Sequence, residues 1–188
     1  MRFYYTMKQG WRHRRALTAF LKPSHQLKHV NQLSPNQLDF MSIKALSLDF
    51  DGVLAPHGEV APLPEIEIWL HGLLQTWSGQ VFILSNKPFD EREAYLRAHF
   101  PKITFIKHVA KKPYPDGLNQ IRKLAHCRSE EVLMVDDRLL TGMLAAMISG
   151  SQGLWIHPAV RKHGWHRHEL FFAFLRKLDR CLVGVFNH

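Results

Sequence analysis

Two carboxylates near the middle of the chain are the first candidates for chemistry. Asp49 and Asp51 follow the predicted strand residues Leu46-Ser47-Leu48 and are separated by one residue, so on an extended chain both side chains point the same way. Two like charges this close repel each other, and a buried pair needs a cation or a shared proton. Gly52 permits a sharp turn after them. The same turn is also common after strands that have no catalytic role, so the pair alone leaves both interpretations open.

Three further polar groups follow other apolar stretches. Ser85 and Asn86 offer hydrogen-bond donors for phosphate oxygens. Lys112 lies in a loop before a predicted helix, where a cation would neutralise charge on a phosphoryl group. Asp136 and Asp137 end another apolar run and supply the hard oxygen ligands that Mg²⁺ prefers. Each group alone could consist of polar residues in a solvated loop without a function. Together the groups predict one site for phosphate and Mg²⁺.

The pattern of apolar and amphipathic segments predicts how these residues meet. From Ala45 onward the two kinds of segment alternate, which indicates an α/β fold with a Rossmann-like, doubly wound parallel sheet. The predicted strands are Ala45–Phe50, Gln80–Leu84, Ile103–Ile106, Glu131–Val135 and Gly153–Ile156. The predicted helices are Pro64–Trp77, Asp90–His99, Asp116–Ala125 and Leu139–Ser149. Because the carboxyl ends of parallel strands line the ligand crevice in such folds, we expect the four polar groups to converge there.

The polar segments, taken in order, resemble the motifs of the haloacid dehalogenase-like (HAD) phosphohydrolases. The matching stretches are DFDGVL, LSN, KKP and MVDDRLLTG. The resemblance implies that Asp49 is a nucleophile that forms an aspartyl-phosphate. It also implies that Asp51 is the general acid and base, and a second Asp at this place is typical of phosphatases rather than dehalogenases. We therefore expect hydrolysis of a phosphoric monoester.

The resemblance also implies how phosphate and metal are held. Ser85 and Lys112 would bind the phosphoryl oxygens. Mg²⁺ would be held by Asp49, the carbonyl of Asp51 and an acid of the last motif, for which Asp137 is favoured.

Short spacings between the motifs predict that no cap domain covers the site. Only 33 residues separate Asp51 from Ser85, and 25 lie between Asn86 and Lys112. Each interval has room for about one helix and one strand. A site without its own lid cannot enclose a small metabolite, so an open crevice and a large substrate or a partner subunit are expected.

Within the superfamily the chain resembles the capless group, subfamily III, that contains phosphatidylglycerophosphate phosphatases. The likeness extends ahead of the first motif into Leu21–Pro23, Lys28–Val30 and Leu33–Phe40, and beyond the last motif into Gly150–Pro158. It implies that the substrate is a phosphomonoester of an anionic phospholipid, with phosphatidylglycerophosphate as the leading candidate.

The last motif departs from the pattern of that group. The group has Gly-Asp-Gln and a second Asp after a Thr, whereas this chain has Asp136-Asp137-Arg138 and then Thr141-Gly142. The distal acid is therefore missing at Gly142. We expect Asp136 to take over part of its role.

The distribution of charge and cysteine excludes several classes of protein. The net charge of the 188 residues is +9, but residues 1–38 carry +7, residues 157–188 carry +4, and the middle carries −2. A protein that is basic throughout, such as a histone, is excluded. Only two cysteines occur, Cys127 and Cys181, and they are far apart without a CxxC or zinc-type spacing, so neither a disulfide framework nor a cysteine metal site is expected. No apolar run approaches the roughly 20 residues that span a bilayer.

These features predict a basic N-terminal extension (1–40), a phosphatase core (41–160) and a basic amphipathic C-terminal helix (161–188) packed on or beside the core. Helices are expected at Trp11–Leu21 and Arg167–Leu182. Aromatic side chains accompany the bases at both ends; the C-terminal ones are Trp165, Phe171, Phe172 and Phe174. Such ends suit an anionic membrane surface, and they also suit nucleic acid or simple solvated helix faces.

The sequence thus predicts a phosphatase at the cytoplasmic face of the inner membrane, or in the mitochondrial matrix or plastid of a eukaryote. The family likeness, rather than the composition, favours the membrane surface. Two alternatives stay open: a phosphatase acting on nucleic-acid ends or another large phosphorylated substrate, and a catalytically silent scaffold with a HAD fold. The oligomeric state is left open.

Overall fold

Six parallel strands form one β-sheet in the computed structural model, which describes residues 1–162 and 167–185. The strands are β1 (Gln26–Leu27), β2 (Ala45–Leu48), β3 (Gln80–Ile83), β4 (Thr104–Phe105), β5 (Val132–Asp136) and β6 (Gln152–Ile156). The helices are α1 (Arg2–Arg12), α2 (Arg14–Ala19), α3 (Pro35–Phe40), α4 (Pro64–Thr76), α5 (Asp90–His99), α6 (Asp116–Leu124), α7 (Leu144–Ser149) and α8 (Arg167–Val185). The predicted α/β class with a parallel sheet is confirmed.

The order of the strands across the sheet is β1-β6-β5-β2-β3-β4. From β2 the chain adds β3 and β4 on one side and then returns to place β5 and β6 on the other. The carboxyl ends of β2 and β5 therefore form the switch point, where open α/β sheets leave a crevice for ligands. The helix between β2 and β3 is α4, and the helix between β3 and β4 is α5. Within the described residues, no cap domain is inserted, as predicted.

Apolar layers cover both faces of the sheet. In β5, Leu133 and Val135 belong to the cluster that contains side chains of α3, α4 and α5, and Val132 and Met134 belong to the cluster on the opposite face. Successive side chains of a strand point to opposite faces, so a strand buried on both sides is apolar at every position. This explains the continuous apolar runs of the sequence.

The five predicted strands are present, and their ends agree with the prediction to within two residues. The predicted helix Leu139–Ser149 begins as a π-helical turn over Leu139–Met143 and continues as α7. Sequence analysis missed β1, which pairs Gln26 with Trp155 of β6 at the edge of the sheet. A strand of two residues is too short to show an alternating pattern.

The predicted N-terminal helix Trp11–Leu21 is wrong in its bounds. Helix α1 already begins at Arg2, and the chain leaves helical geometry at His13 before α2. Gly10 is the only fully buried residue of α1, so this helix contributes no apolar side chain to the core. Leu17 and Phe20 are buried, so α2 and the residue after it contribute to the core. The division of the chain at residues 40 and 160 stays a prediction.

The C-terminal helix is present as α8, and its first residue agrees with the prediction. Trp165, one of the aromatic side chains near its start, lies outside the described residues. None of the helices in the described parts of the chain has both the length and the apolar character needed to cross a membrane.

Candidate active site

Three carboxylates converge where β2 and β5 end. Leu48 of β2 lies opposite Val135 of β5, and the N–H of Asp49 donates to the Val135 carbonyl at 2.9 Å. This pairing brings Asp49 next to Asp136 and Asp137. One oxygen from each of the three carboxylates lies within 4.8 Å of the others. The predicted convergence of these residues is present.

Lys112 joins this cluster from the loop before α6. Its Nζ lies 2.5 Å from Asp136 Oδ2 and 3.2 Å from Asp49 Oδ1, and the residue is only 2% exposed. Burial disfavours the charged ammonium, but the carboxylates of Asp136 and Asp49 outweigh it and raise the pKa of Lys112 above its usual value. The lysine is therefore a charged group held between two carboxylates.

Asn86 holds the backbone of the loop that carries Lys112. Its side-chain oxygen accepts from the Lys112 N–H at 2.8 Å, and its amide donates to the Lys112 carbonyl at 3.2 Å. Ser85 is 9% exposed and lines a cavity together with Asp49 and Asp137. In this arrangement Asn86 positions the lysine, and direct contacts of Ser85 and Asn86 with phosphate stay predictions.

Burial, together with mutual repulsion, disfavours the ionised form of two carboxylates in this cluster. Burial raises the pKa of Asp49 well above its ordinary value, against the effect of Lys112, and the neighbouring carboxylates raise it further. Burial also raises the pKa of Asp137 to about 6, although Arg176 acts in the opposite direction. A further cation would relieve this repulsion.

Asp51 is held by an arginine that sequence analysis missed. Arg92 of α5 is completely buried, and its Nη2 and Nη1 donate to Asp51 Oδ1 and Oδ2 at 3.0 and 3.3 Å. The guanidinium stacks on Phe50 at 3.8 Å and also donates to the Glu59 carbonyl. Two parallel bonds fix the plane of the Asp51 carboxylate. An arginine in an amphipathic helix usually marks a solvated face, so the sequence contained no signal for this role.

Two glycines are required by the close approach of the carboxylates. Gly52 has a φ of +82°, and a Cβ at this position would lie 2.5 Å from Asp137 Oδ2. A Cβ at Gly142 would lie 2.1 Å from Asp136 Cγ. The Asp136 carboxylate therefore fills the space that a side chain at position 142 would need. This packing explains why an aspartate at position 136 and a glycine at position 142 occur together in the last motif.

Charged residues of α8 are buried against the site. Glu169, Arg176 and Asp179 are each exposed by 8% or less. Asp179 accepts two hydrogen bonds from Arg138, at 2.6 and 3.1 Å, and Arg176 Nε donates to Asp137 Oδ2 at 2.5 Å. Buried charges are costly unless they are paired, so these contacts specify how α8 docks.

His57 lies between Arg176 and Asp51 and contacts both side chains. Its Nε2 accepts from Arg176 Nη2 at 2.8 Å, and its Nδ1 lies 3.9 Å from Asp51 Oδ1. Because a guanidinium can only donate, Nε2 is the acceptor, and in the neutral ring the proton lies on Nδ1, which faces Asp51. Burial lowers the pKa of His57 to about 4, so the ring is neutral at physiological pH. Arg176 of α8 and His57 thus form a chain of polar contacts from Asp137 to Asp51.

The cavity at the carboxylates has a volume of about 500 Å³ and a wall formed by the two terminal helices. Helix α1 contributes Phe3 and Met7, and helix α8 contributes Phe171, Leu175 and Leu178. Sequence analysis predicted an open crevice, and it did not place either terminal helix at the site. The structure shows that these helices take positions beside the carboxylates without forming an inserted cap.

The chain is similar in sequence to known phosphatases. The sequence profile of the family described as mitochondrial PGP phosphatase matches residues 15–161, which include every predicted site residue. The probable phosphatase YqeG of Bacillus subtilis is 24% identical over 90% of this chain and 93% of its own length. The mitochondrial phosphatidylglycerophosphatase GEP4 of Saccharomyces cerevisiae is 31% identical over 64% of this chain and 70% of its own length.

Among solved structures, an uncharacterized protein from Listeria monocytogenes superposes with a TM-score of 0.51. It is 13% identical, and the match covers 66% of this chain and 85% of that protein, so the likeness concerns the fold alone. The profile match, by contrast, covers well over half of the chain. The chain therefore belongs to the mitochondrial PGP phosphatase family and is a phosphatase of the HAD superfamily.

Proposed function

We propose that this protein hydrolyses the terminal phosphomonoester of phosphatidylglycerophosphate, with Mg²⁺ as cofactor and an aspartyl-phosphate intermediate. The observation that carries the proposal is the convergence of Asp49, Asp136, Asp137 and Lys112 at the switch point of the sheet. The family assignment and the name of the yeast relative support the choice of substrate. Membership of a phosphatase family favours an enzyme over a silent scaffold.

The residues would divide the reaction into two displacements. A carboxylate oxygen of Asp49 attacks phosphorus, the bond from phosphorus to the glycerol oxygen breaks, and Asp51 gives its proton to that oxygen. Water then attacks the phosphorus, Asp51 takes a proton from the water, and the bond to Asp49 breaks. Inorganic phosphate leaves, and both aspartates return to their starting states. Arg92 and His57 would hold Asp51 in place throughout.

The carboxylate cluster fits a magnesium ion by the chemistry of its donors. Asp49, Asp136 and Asp137 offer hard oxygens close to one another. Both oxygens of Asp136 already accept hydrogen bonds, from Lys112 and from the Arg138 N–H, which favours Asp49 and Asp137 as the principal ligands. When bound, Mg²⁺ would neutralise charge on the phosphoryl group. A role for the Asp51 carbonyl as a further ligand stays a prediction.

Magnesium should stabilise the wild-type protein against thermal unfolding, and the variant Asp137→Asn should lose this response. Ligand binding to the folded state adds about 2.7 kcal/mol at a concentration of roughly 100 Kd. The measurement is a thermal-unfolding titration with MgCl₂ after treatment with EDTA. The control is Asp90→Asn, since Asp90 has a side chain that is 95% exposed on α5. An equal magnesium response in wild type and Asp137→Asn would remove Asp137 from the metal site.

A membrane surface is the proposed place of action. Helix α1 exposes Phe3, Tyr4 and Trp11, by 76, 72 and 57% respectively, next to basic residues. Amphipathic basic segments with exposed aromatic side chains bind anionic lipid surfaces. The yeast relative is named as mitochondrial, which supports a mitochondrial location in a eukaryote. The matrix face of the inner membrane, or the cytoplasmic face in a bacterium, stays a prediction.

Direct competition between substrates tests the proposed function. We expect kcat/KM for phosphatidylglycerophosphate in vesicles to exceed that for 3′- or 5′-phosphorylated oligonucleotides by at least about tenfold, because the cavity joins an apolar wall to the phosphate site. The assay is phosphate release with MgCl₂, and p-nitrophenyl phosphate reports the generic activity. A preference for the oligonucleotides would establish the alternative of a phosphatase acting on nucleic-acid ends.

A further inference from the structure

The apolar wall of the catalytic cavity has no part in phosphoryl transfer. The carboxylates, Ser85 and Lys112 account for the proposed reaction, whereas Phe3, Met7 and the apolar side chains of α8 carry no group that could bind phosphate or move a proton. Ligand pockets use apolar walls to bind apolar parts of a ligand. The lining therefore indicates a substrate with hydrocarbon close to its phosphate-bearing head.

Both helices that form this wall are held in place by specific contacts. Helix α8 is held by the ion pair of Asp179 with Arg138, as described above. Helix α1 is held by Tyr5, whose ring stacks on Tyr114 with centroids 4.3 Å apart. Tyr114 lies two residues after Lys112, so α1 packs on the same loop that carries the proposed phosphate ligand. The apolar wall is therefore held in a fixed position beside the catalytic residues.

Several side chains of the wall also face solvent. Phe3 is 76% exposed, Phe171 is 56% exposed and Leu178 is 40% exposed, and all three line the cavity. An apolar strip thus runs from the carboxylates to the outer surface. Large exposed apolar side chains that form a patch mark a binding site. This strip offers an apolar surface for hydrocarbon at the mouth of the cavity.

Charge in the same cavity complements an anionic head group. Arg2, Lys87 and Lys111 line the cavity together with the apolar side chains. A ligand that fits both features is an amphiphile with phosphate next to hydrocarbon. Nucleic acid would match the cations, but it offers no aliphatic chain for Leu175 and Leu178.

We propose that α1 and α8 form a binding site for the acyl chain of the phospholipid substrate, with Phe171 and Leu175 as its central contacts. The inference rests on the proposed function and adds a determinant of specificity to it. The acyl chain nearest the head group lies along the wall formed by α1 and α8, while the phosphomonoester lies at Asp49. The enzyme would therefore select its substrate by hydrocarbon as well as by phosphate.

The test measures acyl selectivity, defined as kcat/KM for dioleoyl phosphatidylglycerophosphate divided by kcat/KM for the fully deacylated head group. Detergent mixed micelles at constant surface concentration keep general membrane binding equal between variants. Phe171→Ser and Leu175→Ser are expected to lower this selectivity at least tenfold. The matched control is Phe174→Ser, since Phe174 is 60% exposed on the same helix and does not line the cavity. This control should keep the wild-type selectivity.

The outcomes separate the two proposals. Unchanged selectivity in Phe171→Ser and Leu175→Ser, or an equal fall in Phe174→Ser, would overturn the acyl site while leaving the lipid phosphatase intact. An equal loss of kcat/KM on both substrates in the wall variants would also overturn it, since it would indicate a structural disturbance. Wild-type protein that cleaves p-nitrophenyl phosphate but no acylated substrate would overturn the proposed function itself.

Discussion

Replacing Asp49 by Asn is expected to abolish phosphate release from every phosphomonoester while the protein stays folded. Asn has the same shape as Asp but cannot form the covalent bond to phosphorus. Loss of a nucleophile that acts together with its partners costs on the order of a thousandfold or more in rate. The measurement is phosphate release from phosphatidylglycerophosphate and p-nitrophenyl phosphate. The control is Asp90→Asn, which replaces an exposed acid.

The same substitution should leave the thermal stability at pH 7 unchanged or higher in EDTA. Burial raises the pKa of Asp49, so the folded protein binds a proton at this carboxyl more tightly than the unfolded chain does. The contribution of Asp49 to the free energy of unfolding therefore falls as the pH rises from the pKa of the unfolded chain to the pKa of the folded protein. Above both pKa values the buried, ionised carboxylate destabilises the fold. Asn removes that cost. A folded Asp49→Asn protein with wild-type turnover would disprove the assignment of the nucleophile.

Replacing Lys112 by Met is expected to remove activity and to lower the free energy of unfolding by about 3–5 kcal/mol in the absence of metal. Met preserves most of the length of the side chain but leaves the fully buried Asp136 carboxylate without its cation. Chemical denaturation in EDTA measures the loss of stability, and phosphate release measures the loss of activity.

An exposed lysine outside the catalytic cavity provides the control for this experiment. Lys123 of α6 is exposed and does not line that cavity, so Lys123→Met changes the net charge equally without breaking a buried ion pair. Should Lys112→Met fail to fold, Lys112→Arg keeps the charge and is expected to regain a folded protein. Wild-type stability of Lys112→Met would show that the buried pairs with Asp49 and Asp136 contribute nothing to the fold.

Local patterns in the sequence were sufficient for the strands and for the residues directly after them. Val132–Val135 is apolar at every position, and Leu46 and Leu48 flank a single buried serine, because both faces of the sheet are covered. Parallel pairing brings the carboxyl ends of such strands to one edge, so the convergence of Asp49 with Asp136 and Asp137 followed from the fold class.

Other parts of the site depend on contacts that leave no local pattern. Arg92 and Asp51 are 41 residues apart, and Arg176 and His57 are 119 residues apart. Arg92 and Arg176 lie in helices whose own pattern indicates an ordinary surface, because helical periodicity reports which face is apolar and not which distant residue a polar side chain meets. The bounds of α1 were missed for a different reason: its side chains do follow an amphipathic helical pattern, and the predicted helix simply began too late in the chain.

The sequence by itself determined the α/β class, the absence of an inserted cap and the set of carboxylates with Lys112, because these depend on short-range periodicity and on the edge at which parallel strands end. Only the tertiary structure decided that Arg92 holds Asp51, that Asp136 fills the space beside Gly142, and that α1 and α8 line the cavity. These features arise from packing between segments far apart in the chain, where the position of a side chain depends on the whole fold rather than on its neighbours in sequence.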